Sequence, residues 1–229
     1  MLAWASLTSS GPLSLRDSAP AGTPGDAGNA DLEMAALRSL RAVELATKPL
    51  DAETWPDFAR LAQDHHGVWD GCWCLNFHEE GAPRVHAPEQ RRALKKARVR
   101  EGRAHAALVY DGAQCVGWCQ FGPTQELPRI KHQQAYRRAL DQLPDWRITC
   151  FFVGRTHRHR GVADAALAGA LNEIARLGGG LVESYPEDAV GRKVSGSFLY
   201  NATVAMFERH GFERRRRIGK HHWVVSRRV

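Results

Sequence analysis

Apolar positions along the chain recur at two different periods, and the switches between them predict a mixed α/β domain. A first strand is expected over 41–46, Arg-Ala-Val-Glu-Leu-Ala. Asp51 stands where an N-cap belongs, and Trp55, Phe58, Leu61 and Ala62 then fall on one helical face. A second helix is predicted over 88–103, strongly basic, with Ala93, Leu94 and Ala97 as a thin apolar stripe and its cations as a solvated face. Strands over 106–110 and 115–121 follow, joined by Asp111-Gly112, a dipeptide suited to a tight hairpin turn. A short helix is expected over 133–143. Residues 147–153, Arg-Ile-Thr-Cys-Phe-Phe-Val, form the nearly unbroken apolar run of a central strand buried on both faces.

The clearest helix covers 161–177. Ala163, Leu167, Ala170, Leu171 and Ile174 form its stripe, and Gly178-Gly179-Gly180 stops it. A strand over 181–185, a helix over 197–210 closed by Gly211, and a hairpin over 212–229 with Trp223 in its second arm complete the order. Residues 1–40, rich in Ser, Gly, Ala and Pro, carry neither period. They are expected to be a flexible leader, with 31–40 able to add a short helix, and the folded domain is expected over 41–229.

Composition narrows the picture. The 229 residues are 43% hydrophobic, enough for the core of one ordinary domain. No run approaches the ~18 apolar residues of a membrane span, and the first residues lack a secretory pattern, so a cytoplasmic location without membrane contact is expected. The five cysteines are an odd number and are expected to be free thiols. Charge is uneven: residues 209–229 hold eight Lys/Arg against the single acid Glu213, which accounts for the whole formal +7 of the chain. An anionic partner near the C-terminus follows, either nucleic acid or a phosphate-bearing cofactor. On a strand, alternate residues of the run Arg214 to Arg217 face opposite sides, which argues against nucleic acid as the main partner.

The candidate chemistry lies where the apolar strand meets the clearest helix: Val153-Gly-Arg-Thr-His-Arg-His-Arg-Gly-Val-Ala163. A basic loop feeds a helix N-terminus through a glycine. Free backbone N–H groups point outward there, and the helix dipole adds about half a positive charge. Such an end holds phosphate, Gly161 lets phosphate approach without a Cβ, and Arg158 and Arg160 add charged donors. There is no Gly-Lys-Ser/Thr to make a P-loop. His65, His66, Cys72, Cys74 and His78 cluster in sequence, but Cys-x-Cys is tighter than a zinc pair and no second pair follows, so no metal site is expected. Trp69, Trp73, Leu75 and Phe77 in that stretch suggest an aromatic lining to the core or to a cleft.

Arg158-His159-Arg160-Gly161-Val162-Ala163 resembles the Arg/Gln-x-x-Gly-x-Gly/Ala signature of the GNAT superfamily of N-acetyltransferases, and it occupies the right place between buried strand and helix. Glu208-Arg-His-Gly-Phe212 is similar to the family's closing helix. Gly71-Cys-Trp-Cys74, Gly117-Trp118 and Cys150-Phe-Phe-Val153 resemble a bacterial branch of it. The resemblance implies a mixed, mostly antiparallel central sheet, splayed in the middle and flanked by helices. It also implies acetyl-CoA as co-substrate and direct acetyl transfer to a primary amine on a small molecule or peptide. Phe152, Val153, Arg158, His159, Arg160, Gly161, Val162 and Ala163 would then bind the cofactor, with the Val153 N–H facing the developing oxyanion. Where many members carry a proton-donating tyrosine, four residues before the helix-closing glycine, this chain has Phe207. The nearest phenols are Tyr185 and Tyr200, and Glu183 is the candidate base. The rival readings are an acyl-CoA-binding module without turnover, for which Phe207 speaks, and a nucleic-acid-binding module on the same fold.

Overall fold

The computed structural model describes residues 44–68, 71–81 and 87–229, and Ser197 by its backbone alone. The expected leader, its short helix, Trp69 and the start of the first predicted strand lie outside the described residues. The elements are β1 (Leu45–Pro49), α1 (Trp55–Gln63), α2 (Pro88–Arg100), β2 (His105–Asp111), β3 (Gln114–Pro123), α3 (Gln133–Arg138), β4 (Trp146–Val153), α4 (Val162–Arg176), β5 (Leu181–Ser184), α5 (Val204–Arg209), β6 (Glu213–Arg217) and β7 (Trp223–Arg228). The strands form one sheet in the order β1-β2-β3-β4-β5-β7-β6. Every neighbouring pair is antiparallel except β4 with β5. The mixed, mostly antiparallel sheet expected from the sequence is therefore present. Among the described residues no helix is long and apolar enough to cross a membrane.

β4 sits at the centre because its side chains feed two cores. Cys150 and Phe152 face one, with Trp55, Phe58, Trp73, Phe77 and Trp118. Ile148 and Phe151 face the other, with Leu167, Ala170, Ile174 and Phe207. Each such burial contributes about 1.5–3 kcal/mol, so the apolar run is what fixes this strand in the middle. α4 lies close against the sheet because two glycines let it. A Cβ on Gly117 of β3 would come within 2.6 Å of Val162 Cγ1 and 2.7 Å of the Phe152 carbonyl oxygen. One on Gly169 would stand 2.9 Å from Thr47 of β1.

Four elements differ from expectation. β1, described over Leu45–Pro49, runs past the expected end at Ala46, because it is an outer strand whose register is set by its pairing with β2, Leu45 opposite Asp111 and Pro49 opposite Ala107. α2 turns its cations inward: Arg91, Lys95, Arg98 and Val99 are buried while Ala93 and Ala97 are exposed. Long side chains reach partners that short alanines cannot. Arg98 Nη2 donates to both oxygens of Glu80, and Lys95 Nζ donates to Gln120 Oε1 at 3.0 Å. α3 ends at Arg138, short of Pro144, which disfavours helix before it. The helix expected over 197–210 is broken into a 3-10 turn, Gly196–Phe198, and α5. Ala202 takes a left-handed φ of 58°, and Thr203 caps α5 by accepting from the Met206 N–H at 3.3 Å.

Candidate functional site

The site is built on the free edge of β4. β3 pairs with β4 along its whole length, from Pro123–Trp146 to Gly117–Val153. β5 pairs with it in parallel over three residues only, Trp146, Arg147 and Ile148. Beyond Ile148 the two strands part, and the segment around Tyr200 stands in the opening. The Phe151 N–H donates to the Tyr200 carbonyl at 2.6 Å. Glu187, just past β5, bridges to Thr203 and His222 on the other side. The Gly154 N–H goes the opposite way, to Val116 of β3 at 2.8 Å. Strand alternation therefore turns the Val153 N–H to the same open side as that of Phe151. The peptide of Phe152 faces β3 instead, and its ring stacks on Trp118 at 4.6 Å within the core.

From Gly154 the chain enters a 3-10 turn, Arg155–His157, and reaches α4 through Arg158, His159, Arg160 and Gly161. Gly161 has φ +78°, a left-handed conformation that glycine adopts without strain, and a Cβ there would meet nothing within 4 Å. It is the N-cap of α4 and no side chain caps the helix, so its first N–H groups open onto free space. Arg158, His159 and Arg160 are exposed around this mouth. His157 and Arg160 lie 3.7 and 3.6 Å from Asp111, which ties the loop to the β2–β3 turn. Asp164, in the first turn of α4, is turned away to Arg209 at 2.8 Å and His210 at 3.3 Å. Seven of the eight residues expected to bind a phosphate-bearing cofactor lie along the path from the end of β4 to the first turn of α4, with Val162 buried as the anchor, whereas Phe152 is turned into the core with Trp118.

Sequence reading did not single out Asn201. It is only 3% exposed, and neither its Oδ1 nor its Nδ2 has a partner. Leaving such groups unsatisfied costs about 1–3 kcal/mol each, which makes Asn201, next in the chain to Tyr200 at the edge of β4, a candidate to meet a ligand's polar groups. The sequence carried no signal for it, because Asn201 falls inside the helix expected over 197–210.

The three candidate acid–base residues separate into two places. Glu183 lies opposite Arg147 at the paired end of β4 and β5 and is buried. Its Oε2 accepts from the Tyr136 hydroxyl at 2.8 Å and from that of Tyr185 at 3.2 Å. Burial holds the Glu183 carboxyl above its usual range, against the pull of Tyr136, Arg216, Tyr185 and Arg147. The Tyr185 phenol is likewise pushed up, first by burial. Tyr200 is not on a helix but in the turn before α5. Its ring lies 6.1 Å from Phe77 and 5.9 Å from Lys131 Nζ, and burial, Cys150 and Glu187 push its hydroxyl up to about 12. It is therefore a neutral phenol at physiological pH, able to donate a proton. Phe207 is fully buried, edge-on to Phe151 at 5.9 Å and Phe212 at 4.9 Å. That position belongs to the core.

Two other stretches resolve into structural roles. Arg214 binds Glu208 and Asp188, Arg215 binds Glu213 and Ser226, and Arg216 and Arg217 lie over the rings of Tyr136 and Trp223. The basic run is thus matched by this chain's own acids and rings. Trp73, Leu75 and Phe77 are buried, and among the described residues no three His, Cys, Asp or Glu side chains gather as metal ligands.

No protein-family model matches the sequence, and neither does any curated protein. Solved structures are similar to it in shape. The ribosomal-protein-alanine N-acetyltransferase of Brucella melitensis aligns at 14% identity and TM-score 0.47, covering 80% of this chain and 99% of its own. A mosquito arylalkylamine N-acetyltransferase, like 5b, aligns at 9% identity and TM-score 0.48, covering 81% and 100%. Arabidopsis thaliana NAA60, solved in complex with acetyl-CoA, aligns at 14% identity and TM-score 0.44, covering 81% and 99%.

Proposed function

We propose that this chain is a GNAT-superfamily enzyme, an acetyl-CoA-dependent N-acetyltransferase that passes acetyl directly to a primary amine on a small molecule or peptide. The observation that carries the reading is the single parallel contact of the sheet. β4 leaves β5 after three residues and runs on, its edge met by the Tyr200 carbonyl at Phe151 and open at Val153, into an uncapped helix N-terminus under a glycine with clear space above it. An extended arm ending in a diphosphate fits that shape and chemistry. The orphaned amide of Asn201 beside the same edge supplies a donor and an acceptor that the protein leaves unmatched.

In this reading the N–H groups of Val162 and Ala163, with Arg158 and Arg160, hold the diphosphate. His159 borders the loop, while Phe152, stacked on Trp118, holds the end of β4 from within the core. The Phe151 N–H is already occupied by Tyr200, so Val153 is the open-side donor left to meet the arm or the developing oxyanion. The neutral amine forms its C–N bond as the C–S bond of the thioester breaks. Tyr200 gives its proton to the departing thiolate, and water takes the amine's proton, because Glu183 is buried apart from Tyr200 under the Tyr136 and Tyr185 hydroxyls. Holding both reactants in one opening provides much of the rate.

Coenzyme A release, followed chromatographically across a panel of amines, tests the reaction. Turnover with at least one amine supports it. Tight acetyl-CoA binding with no release from any amine would leave the non-catalytic binding module in its place. Replacing Gly161 by valine puts bulk at the mouth and strains the left-handed N-cap, so acetyl-CoA binding should weaken at least tenfold in a chain whose circular dichroism still reads as folded, and unchanged affinity would contradict the site.

A further inference from the structure

We propose that Cys74 and Cys150 form an oxidisable dithiol, closed by hydrogen peroxide into a disulfide that ties the turn-rich segment 71–81 to β4. This does not rest on the acetyltransferase reading. The two Sγ atoms lie 3.4 Å apart although the residues are 76 positions apart in the chain. A disulfide needs about 2.05 Å, so the sulfurs must approach by roughly 1.4 Å. β4 is held by β3, whereas segment 71–81 contains neither helix nor strand, so the movement falls on the Cys74 side. Trp73 and Cys74 have φ values of 50° and 49°, a left-handed conformation that non-glycine residues avoid. The fold therefore holds this thiol against β4 in spite of backbone strain.

The surroundings favour thiolate at Cys74 in particular. The Trp118 indole N–H donates to its sulfur at 3.2 Å. Lys95, 1% exposed, bonds to Gln120 and lies 3.3 Å from His78 Nε2, and among the described residues no acid forms an ion pair with it. The S–H of Cys150, the charge of Lys95 and the indole together hold Cys74 below the usual thiol range against burial. Cys150 is pushed up by its contact with Cys74 and by burial. Burial pushes Cys72 up to about 11 and Cys115 up to about 12, and raises Cys119 as well. The indole N–H on its sulfur makes Cys74 the attacking thiol, and Cys150, 3.4 Å away, is placed to resolve.

The chemistry balances without a further reagent. The Cys74 sulfur attacks one oxygen of peroxide, the O–O bond breaks, and the departing hydroxide takes a proton from Lys95 to leave as water. Cys74 is then a sulfenic acid. Cys150 gives its proton to the now neutral Lys95, and its sulfur attacks the Cys74 sulfur. The S–O bond breaks, and the second hydroxide leaves as water with that proton. The two sulfurs lose two electrons in all, and peroxide is reduced to two waters. Peroxide is small and uncharged, the class of oxidant suited to thiols only 1% and 2% exposed.

The full-length chain, treated with hydrogen peroxide, alkylated under denaturing conditions and mapped by mass spectrometry, provides the test. The peptides carrying Cys74 and Cys150 should be linked, and dithiothreitol should separate them, while Cys72, Cys115 and Cys119 remain alkylated. In Cys150→Ser, Cys74 should stop at the sulfenic acid and be trapped by dimedone. In Cys74→Ser, Cys150 should stay alkylatable. Full alkylation of Cys150 in the treated wild-type chain, or a link through Cys72 in place of Cys74, would overturn the proposal, and both are read without any variant.

Discussion

Asn201 carries two unmatched polar atoms in a buried position, and that makes its role separable from folding. Asn201→Ala removes groups that gain nothing in the free protein, so the unliganded chain should unfold at the same or a higher denaturant concentration. The same change should weaken acetyl-CoA binding by about tenfold, the equivalent of one hydrogen-bonded amide, measured by titration calorimetry. Tyr200→Phe keeps the ring against Phe77 and removes the hydroxyl. It should lower kcat by about a hundredfold with KM little changed, as steady-state kinetics would read. His222 gives a prediction in pH. Burial, Lys131 and His132 depress it from 6.5 to about 4, so in the folded protein it stays neutral while the unfolded chain takes up a proton. The stability it contributes is present above pH 6.5 and is lost as pH falls from there towards 4. His222→Gln should flatten the decline of unfolding free energy over that window, followed by urea titration at several pH values.

Among the elements, the start of α4 depends on what β3 lacks. A methyl on Gly117 would collide with Val162, the first residue of the helix, and with the Phe152 carbonyl, so neither neighbour can give way freely. Gly117→Ala should lower stability by about 1–3 kcal/mol in urea unfolding and should weaken acetyl-CoA binding as well, because the mouth of α4 shifts with Val162. Elements with a strong period were legible in the sequence: the apolar run of β4, the stripe of α4 and the Asp111-Gly112 hairpin all appear where the pattern puts them. α2 was misread because its buried face is made of cations, whose partners Glu80, His78 and Gln120 come from distant segments. The break before α5 was hidden because the left-handed turn at Ala202 has no glycine to announce it.

At the scale of the whole molecule, local chemistry was readable and long-range assembly was not. The loop from Val153 to Ala163 is one continuous stretch, so its glycine, its arginines and its helix start could be placed together from sequence. The parting of β4 from β5, the Tyr200 carbonyl set into that opening, and the grouping of Glu183 with Tyr136 and Arg147 all join residues far apart in the chain. Positive charge was a coarser guide still. The net +7 suggested an anionic partner near the C-terminus, but that cluster is matched largely within the protein, and the cations around the open helix mouth lie some fifty residues earlier. Amide hydrogen exchange of the full chain, resolved to single residues by NMR with and without acetyl-CoA, reads the central claim most directly. The N–H groups of Val153, Val162 and Ala163 should exchange more slowly when the ligand is added, while the Arg214 to Arg217 strand is unaffected. Unchanged exchange at the α4 mouth, with protection appearing elsewhere, would contradict the account.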